Sequence, residues 1–330
     1  MNQRLIPALL SLMALAVSCD VHELPEGTPH VDLTLDLVFD EAMPSYTTIG
    51  LGTRAAGSSS SYVARYTVKL YEDRDGRVDQ TRPAYTYTFE REKVMDLSTS
   101  ITFTFPAGDY QVLVWTDFVD RATGRSSYKT GDFREITLWG AYRGSTDFRD
   151  AFRGEVRLDG DDFRQNDMHA RVTVEMLRPL AKFRVVATDR ENLLAHLAAK
   201  SGVVPASFDV SRYRTRFRYP QFLPDTYDIF QDEAVDSRTG CWFDAPMREL
   251  EDGSLEIGFD YVFVNGEEGK VAVAFDLYDG DGVLLGSQAG IMVPLKRSHV
   301  TTVTGEFLTG GKEAGITIDP EFDGTFTVVL

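Results

Sequence analysis

The sequence is short of the residues that enzymes most often use. It holds 2 cysteines and 5 histidines in 330 residues. The histidines, His22, His30, His169, His196 and His299, are scattered, and no two stand at ligand spacing on one element, which argues against a zinc-type centre. There is no G-x-S-x-G elbow, no H-E-x-x-H, no glycine-rich phosphate loop and no C-x-x-C pair. Each of those missing patterns would have supplied a nucleophile, a hydrolytic metal, a nucleotide cradle or a redox couple. The acidic turns Asp73–Gly76 and Asp276–Gly282 lack the spacing of a calcium loop and read as Asp-Gly hairpin turns. A pair of glycosidase carboxylates leaves no spacing signature, so the 51 acidic residues are silent on that chemistry. The expectation is a non-enzymatic protein with no catalytic residue, no metal and no cofactor.

Positive charge is also scarce. Lys and Arg number 34 against 51 Asp and Glu, a formal net charge of -17. That balance argues against nucleic acid as a partner and against a face lying flat on anionic lipid. Long apolar runs are missing too. The one run, Leu5–Val17, follows Arg4 and is shorter than the about 20 residues a membrane helix needs. Followed by Ser18 and Cys19, it predicts a cleaved secretory signal over residues 1–18. Its end, Leu15-Ala16-Val17-Ser18-Cys19, resembles the bacterial lipobox, in which the cysteine takes the lipid and becomes residue one. Cys19 is therefore the expected lipidation site and the route to the membrane. With Cys19 so used, Cys241 has no disulfide partner within the chain, and it reads as an inert buried thiol beside a core aromatic, Trp242.

What the chain does have is alternation. After a polar tether over residues 19–30, Val31, Leu33, Leu35, Leu37 and Phe39 fall on one face with Asp32, Thr34 and Asp36 on the other. The same period of two recurs at 62–72, 85–89, 101–105 and 110–115, broken by turn residues such as Asp75-Gly76 and Pro106–Asp109. A second series opens near Val172 and runs to the C-terminus. Between the two lies a polar stretch, 146–169, with one short helical turn, and the expected boundary falls there. The single confident helix follows a capping box, Thr188-Asp189-Arg190-Glu191, and carries Leu193, Leu194 and Leu197 on its apolar stripe, with Gly202 as its stop. The fold class is all-β: two tandem β-sandwich domains, 31–165 and 170–330, with one short helix in the second.

The oddest local feature is Arg212-Tyr213-Arg214-Thr215-Arg216-Phe217-Arg218-Tyr219. As a strand it sets Arg212, Arg214, Arg216 and Arg218 on one face. This is a candidate cationic interaction stripe for an acidic partner or an anionic glycan, unless nearby acids such as Asp225, Asp228, Asp232, Glu233 and Asp236 pair with it.

Several segments together resemble the fimbrillin-like and minor-fimbrium anchor lipoproteins of Bacteroidales. They are the lipobox ending at Cys19, Phe105–Asp117, Arg178–Phe183, Val293–Val303 and Asp319–Gly324, in the same order along the mature chain. The resemblance implies transthyretin-like sandwiches and an outer-membrane or cell-surface location. It implies work as a fimbrial anchor or accessory subunit through β-strand-mediated contacts with fimbrial or other surface proteins. It also makes Arg54, in Thr53-Arg54-Ala55, a candidate proteolytic processing site. The alternative is a glycan-binding lipoprotein of a polysaccharide-uptake system, for which exposed aromatics should line a groove.

Overall fold

The computed structural model describes residues 29–40, 62–91, 98–201, 209–309, 316–319 and 326–328. Cys19, Arg54 and Gly202 lie outside the described residues.

Alternation does place the first strand. In His30–Phe39 the side chains of Val31, Leu33, Leu35 and Leu37 are fully buried. On the opposite face, short polar residues tie the strand to its neighbours: Ser100 donates to Asp36 at 2.6 Å, Thr104 to Asp32 at 2.6 Å, and Arg171 to both oxygens of Asp36. Such cross-strand pairs pin the register as well as stabilising it. The strand runs between Ser98–Pro106, antiparallel, and His169–Met176, parallel. The facing sheet has the order Phe152–Leu158, Tyr110–Asp120, Tyr62–Arg74, with Tyr85–Arg91 also on Tyr62–Arg74. The two sheets enclose the first core, which includes Val68, Leu70, Val112, Val114, Phe105 and Phe163.

The second half repeats the plan. One sheet contains Leu255–Phe263, Leu180–Ala187 and Val300–Gly305 in its middle and ends on Ile316–Asp319 and Phe326–Val328. The other is ordered Trp242–Pro246, Arg214–Arg218, Glu268–Tyr278, Leu284–Lys296. Their core holds Phe183, Phe217, Phe243, Phe275 and Leu277. The all-β sandwich class is as the sequence predicts.

Three local expectations change. The strand His169–Met176, which the sequence assigns to the head of the second series, pairs with the first strand and buries Val174 and Met176 in the first core. We therefore place the division between the halves near Leu177–Pro179. The stretch 146–169 is folded throughout: a 3-10 turn at Asp147–Arg149, the strand Phe152–Leu158 and a short helix at Gly160–Gln165, so the second helix of the chain lies in the first half. Finally, the helix Arg190–Ser201 is not held by a capping box. The Thr188 hydroxyl donates to the Gly305 carbonyl, and the Asp189 carboxylate accepts from the Leu308 and Thr309 amides, so both residues fasten the far end of the sheet.

The halves are welded. A four-stranded sheet is built from both: Tyr128–Lys129 and Ile136–Leu138 come from the first, Leu223–Asp228 and Glu233–Arg238 from the second. A third apolar cluster lies beneath it, joining Tyr71, Leu113, Trp115, Phe133 and Ile136 to Leu180, Tyr227, Ile229, Tyr261 and Phe263. Two strands serve this seam because they are buried on both faces. In Tyr110–Asp120, Val112 and Val114 face the first core while Leu113 and Trp115 face the seam. In Leu255–Phe263 a bulge does the work: pairing slips between Val185 and Val186, so the strand changes face at Gly258. Ahead of it Leu255 and Ile257 enter the second core; after it Phe259, Tyr261 and Phe263 enter the seam. Only glycine fits there, since a Cβ at Gly258 would stand 2.3 Å from the Phe217 ring and φ is 155°.

Candidate functional site

The seam carries the most concentrated polar chemistry among the described residues. Thr146 caps the 3-10 turn with its side chain, and the turn delivers Asp147, Arg149 and Asp150 in close succession into the junction. Arg149, with its side chain 4% exposed, donates to Asp260 at 2.9 Å, whose side chain is fully enclosed. The same carboxylate accepts from the hydroxyls of Tyr142, at 2.6 Å, and Tyr219. Arg178 donates to Asp150 at 3.0 Å and to the Asp40 carbonyl at 3.0 Å, with both charged groups out of solvent. Lys182 and Tyr261 converge on Asp147 at 2.7 and 2.9 Å. Burial pushes the carboxyls of Asp260 and Asp150 above their ordinary range, and the facing arginines oppose that push. Every buried carboxylate here is met by a cation and further donors, which is what burial of charge requires.

Above this network lies a groove of about 830 Å³, within the size range of small-ligand sites. Its walls come from both halves: Tyr62, Asp120 and Arg125 on one side, Arg238–Asp244 on the other, with the connecting segment 138–149 as the floor. Trp139 and Trp242 line it and remain 51% and 52% exposed. Each indole has a cation over its ring, Lys129 at 5.1 Å from the Trp139 centroid and Arg216 at 4.5 Å from that of Trp242. The floor sits close because Gly144 has no side chain: a Cβ there would lie 2.4 Å from the Phe243 ring. Cys241 lines the groove but is 6% exposed, and burial pushes its thiol up from the ordinary value. The thiol is buried as expected, whereas Trp242 beside it, expected as a core aromatic, stands half in solvent because it alternates outward from Phe243 on its strand.

The arginine segment is a strand only in part. Arg212 ends a 3-10 turn, and Arg214–Arg218 forms the strand, with Thr215 and Phe217 turned fully inward. Three of its four cations lie near acids, though not the ones just downstream between Asp225 and Asp236. Arg216 makes a bidentate pair with Asp244 at 2.7 and 2.9 Å, Arg218 reaches Asp276 at 2.8 Å, and Arg212 stands 3.9 Å from Asp281. Arg214 lies over the Tyr278 ring. The partners are cross-strand neighbours: Asp244 sits opposite Arg216 on one side and Asp276 lies on the other. Asp225 and Asp232 are engaged elsewhere, by Arg238 and Arg297.

The stripe therefore does not converge with the groove except through Arg216, which backs Trp242. Trp139 escaped sequence reasoning altogether. The signal was an aromatic set among turn residues, Trp139-Gly140-Ala141-Tyr142-Arg143-Gly144, in a stretch with no periodicity to bury it.

A model of a "Family of unknown function (DUF6562)" matches residues 27–329. The chain belongs to that family. No curated protein sequence matches it. Among solved structures, this chain is similar to a candidate cell adhesion protein of Bacteroides ovatus, at 12% identity and a TM-score of 0.48, over 88% of this chain and 96% of that one. It is similar to the fimbrial anchor protein Mfa2 of Porphyromonas gingivalis, at 10% identity and 0.39, over 88% and 98%. A fimbrial assembly protein of Parabacteroides distasonis stands at 14% identity and 0.40, over 91% and 99%. These are proteins of the kind that the sequence resemblance named. At such identity and superposition the likeness carries no argument about this chain's partner or mechanism.

Proposed function

We propose that this protein is a non-enzymatic cell-surface lipoprotein, anchored through lipid on Cys19, that serves as a fimbrial anchor or accessory subunit by offering a sheet edge to a neighbouring protein. The observation that carries the reading is the Ser98–Pro106 edge. Among the described residues this nine-residue strand pairs only with His30–Phe39. A strand's N–H and C=O point to the same side at each residue and alternate along it. The Tyr87 hydroxyl takes the Thr104 carbonyl at 2.9 Å, so the even-numbered residues face outward, and Ser100 and Thr102 present their backbone groups away from the sheet. An edge of this length is ready material for strand addition. Another long edge, Leu284–Lys296, is blunted by two register shifts and by Pro294.

The test joins anchor and edge. Mass spectrometry of the N-terminus from native membranes should find lipidated Cys19, and cross-linking of intact cells should give a heavier adduct through the 98–106 edge. Thr102→Pro removes an outward N–H and the exposed 2.9 Å hydroxyl contact between Thr102 and Thr34, so it should abolish the adduct while lowering stability by less than about 1.5 kcal/mol. A chain starting at Ala55 would replace the anchored form with a processed subunit, and an adduct that survives Thr102→Pro would move the contact elsewhere.

A further inference from the structure

We infer that the groove between Trp139 and Trp242 is a binding site for an anionic oligosaccharide, a short run of pyranose rings bearing carboxylate or sulfate groups. This goes beyond the edge-mediated role, which does not use the groove.

The two tryptophans supply the first argument. One half-exposed aromatic is ordinary, but two tryptophans clustered in a single concavity mark a binding surface. Each has a cation over its ring, from Lys129 or Arg216, which braces the indole, and each keeps about half its surface in solvent. Flat, braced aromatic faces match the flat C–H faces of sugar rings, and the hydroxyl-rich rim of Thr123, Ser127 and Thr239 suits the ring edges.

Charge supplies the second. Of the groove's ionic groups, Arg149 is neutralised by Asp260, Arg238 by Asp225, and Asp244 by Arg216. Arg125 and Arg143 remain, both exposed, and among the described residues neither side chain has a carboxylate partner. Against them stands Asp120, one oxygen of which accepts from the Ala122 amide. In a chain of net charge -17, two guanidiniums against one acid, Asp120, the cross-strand neighbour of Arg125, give one aromatic groove a local excess of positive charge, which is an anion-recognition pattern. An extended polyanion such as nucleic acid would be repelled by the surrounding surface, whereas an oligosaccharide the length of the groove meets only the local charge.

The experiment is titration of the full chain in detergent, followed by tryptophan fluorescence and calorimetry. The probes are acidic oligomers prepared from polygalacturonate, alginate, hyaluronan and chondroitin sulfate. The methyl ester of the galacturonate oligomer and a poly-glutamate peptide serve as comparators. At least one acidic oligomer should bind saturably with a Kd below about 1 mM, more tightly than its ester, and weaken as salt rises. Trp139→Ala and Trp242→Ala should each weaken binding by roughly 3- to 10-fold, the usual range for losing one aromatic contact. Arg125→Gln with Arg143→Gln should erase the preference for acid over ester, and Arg125→Lys should restore part of it. All these side chains are exposed, so unchanged thermal midpoints separate lost binding from lost folding. Binding by no acidic oligomer overturns the assignment, as does equal binding of acid and ester, tighter binding of poly-glutamate, or full binding by the double tryptophan variant.

Discussion

The protein uses the same pair, arginine with aspartate, in two places to opposite ends. At the seam Arg149–Asp260 and Arg178–Asp150 are out of water, each carboxylate or guanidinium held by further donors or acceptors. On the outer face of Arg214–Arg218, the pairs to Asp244 and Asp276 are partly or largely solvated. Coulomb attraction is stronger at the seam, but so is the cost of removing charge from water, and geometry decides the balance. On the outer face both terms shrink and the pairs mainly keep cations from standing alone. Burial, and not the identity of the pair, sets what each is worth.

The sharpest way to break the comparison is to orphan a seam cation. Asp260→Ala leaves Arg149, Tyr142 and Tyr219 without their acceptor, and should cost about 3–5 kcal/mol in chemical unfolding. The double change Arg149→Met with Asp260→Leu should recover much of that, because no buried charge is then left unpaired. Both halves should unfold together in these melts, since the seam core is built from each.

Lys69 tests the seam from its rim. Its ammonium donates to the carbonyls of Thr130 and Gly131 and lies 4.2 Å from the Phe133 ring centroid. Burial pulls its pKa down to about 8, with the Asp132 charge opposing. The folded chain therefore releases this proton more readily than the unfolded one, whose lysine titrates near 10.5. Stability from this group should rise as pH climbs from about 8 toward 10.5, and should be lower below 8, where the buried charge must be carried. Because buried tyrosines such as Tyr71 and Tyr110, whose pKa values burial raises, lose stability toward the top of that range, the rise is read as a difference: the midpoint of the native chain should climb relative to that of Lys69→Met between about pH 8 and 10.5.

The smallest effect belongs to the outer face. Arg216→Gln breaks the bidentate pair to Asp244, yet should change stability by less than about 1 kcal/mol. A loss comparable to that of Asp260→Ala would show that the outer pairs are structural and would erase the contrast.

How much of this was legible in the sequence follows from what is local. His30–Phe39 and the inward set Thr215 and Phe217 declare themselves by alternation alone. The parallel partner of the first strand does not, because pairing across more than a hundred residues leaves no mark in either segment. Residues 146–169 read as a polar boundary stretch because their charges look solvated, whereas Arg149 and Asp150 are buried against Asp260 and Arg178, 111 and 28 residues further on. The face change at Gly258 turns one strand into two half-strands of opposite parity, which defeats any reading by period. The groove was invisible for the same reason, since Trp139 and Trp242 meet only through the weld. The burial of Cys241 was legible, but Trp242 beside it, expected in the core, is half-exposed, and Arg216 and Arg218 pair with acids other than the nearby ones that the sequence offered.

The central position of His30–Phe39 has a mechanical consequence. The strand is held along both sides, antiparallel on one and parallel on the other, by ladders that run its full length. Tension drawn along the chain ahead of His30 would load both ladders lengthwise at once, so their bonds would have to fail together and not one after another. A hairpin peeled from a sheet edge yields bond by bond at low force. A strand gripped in this way resists like a lap joint under shear, and the body it belongs to would stay folded under loads that unzip an edge.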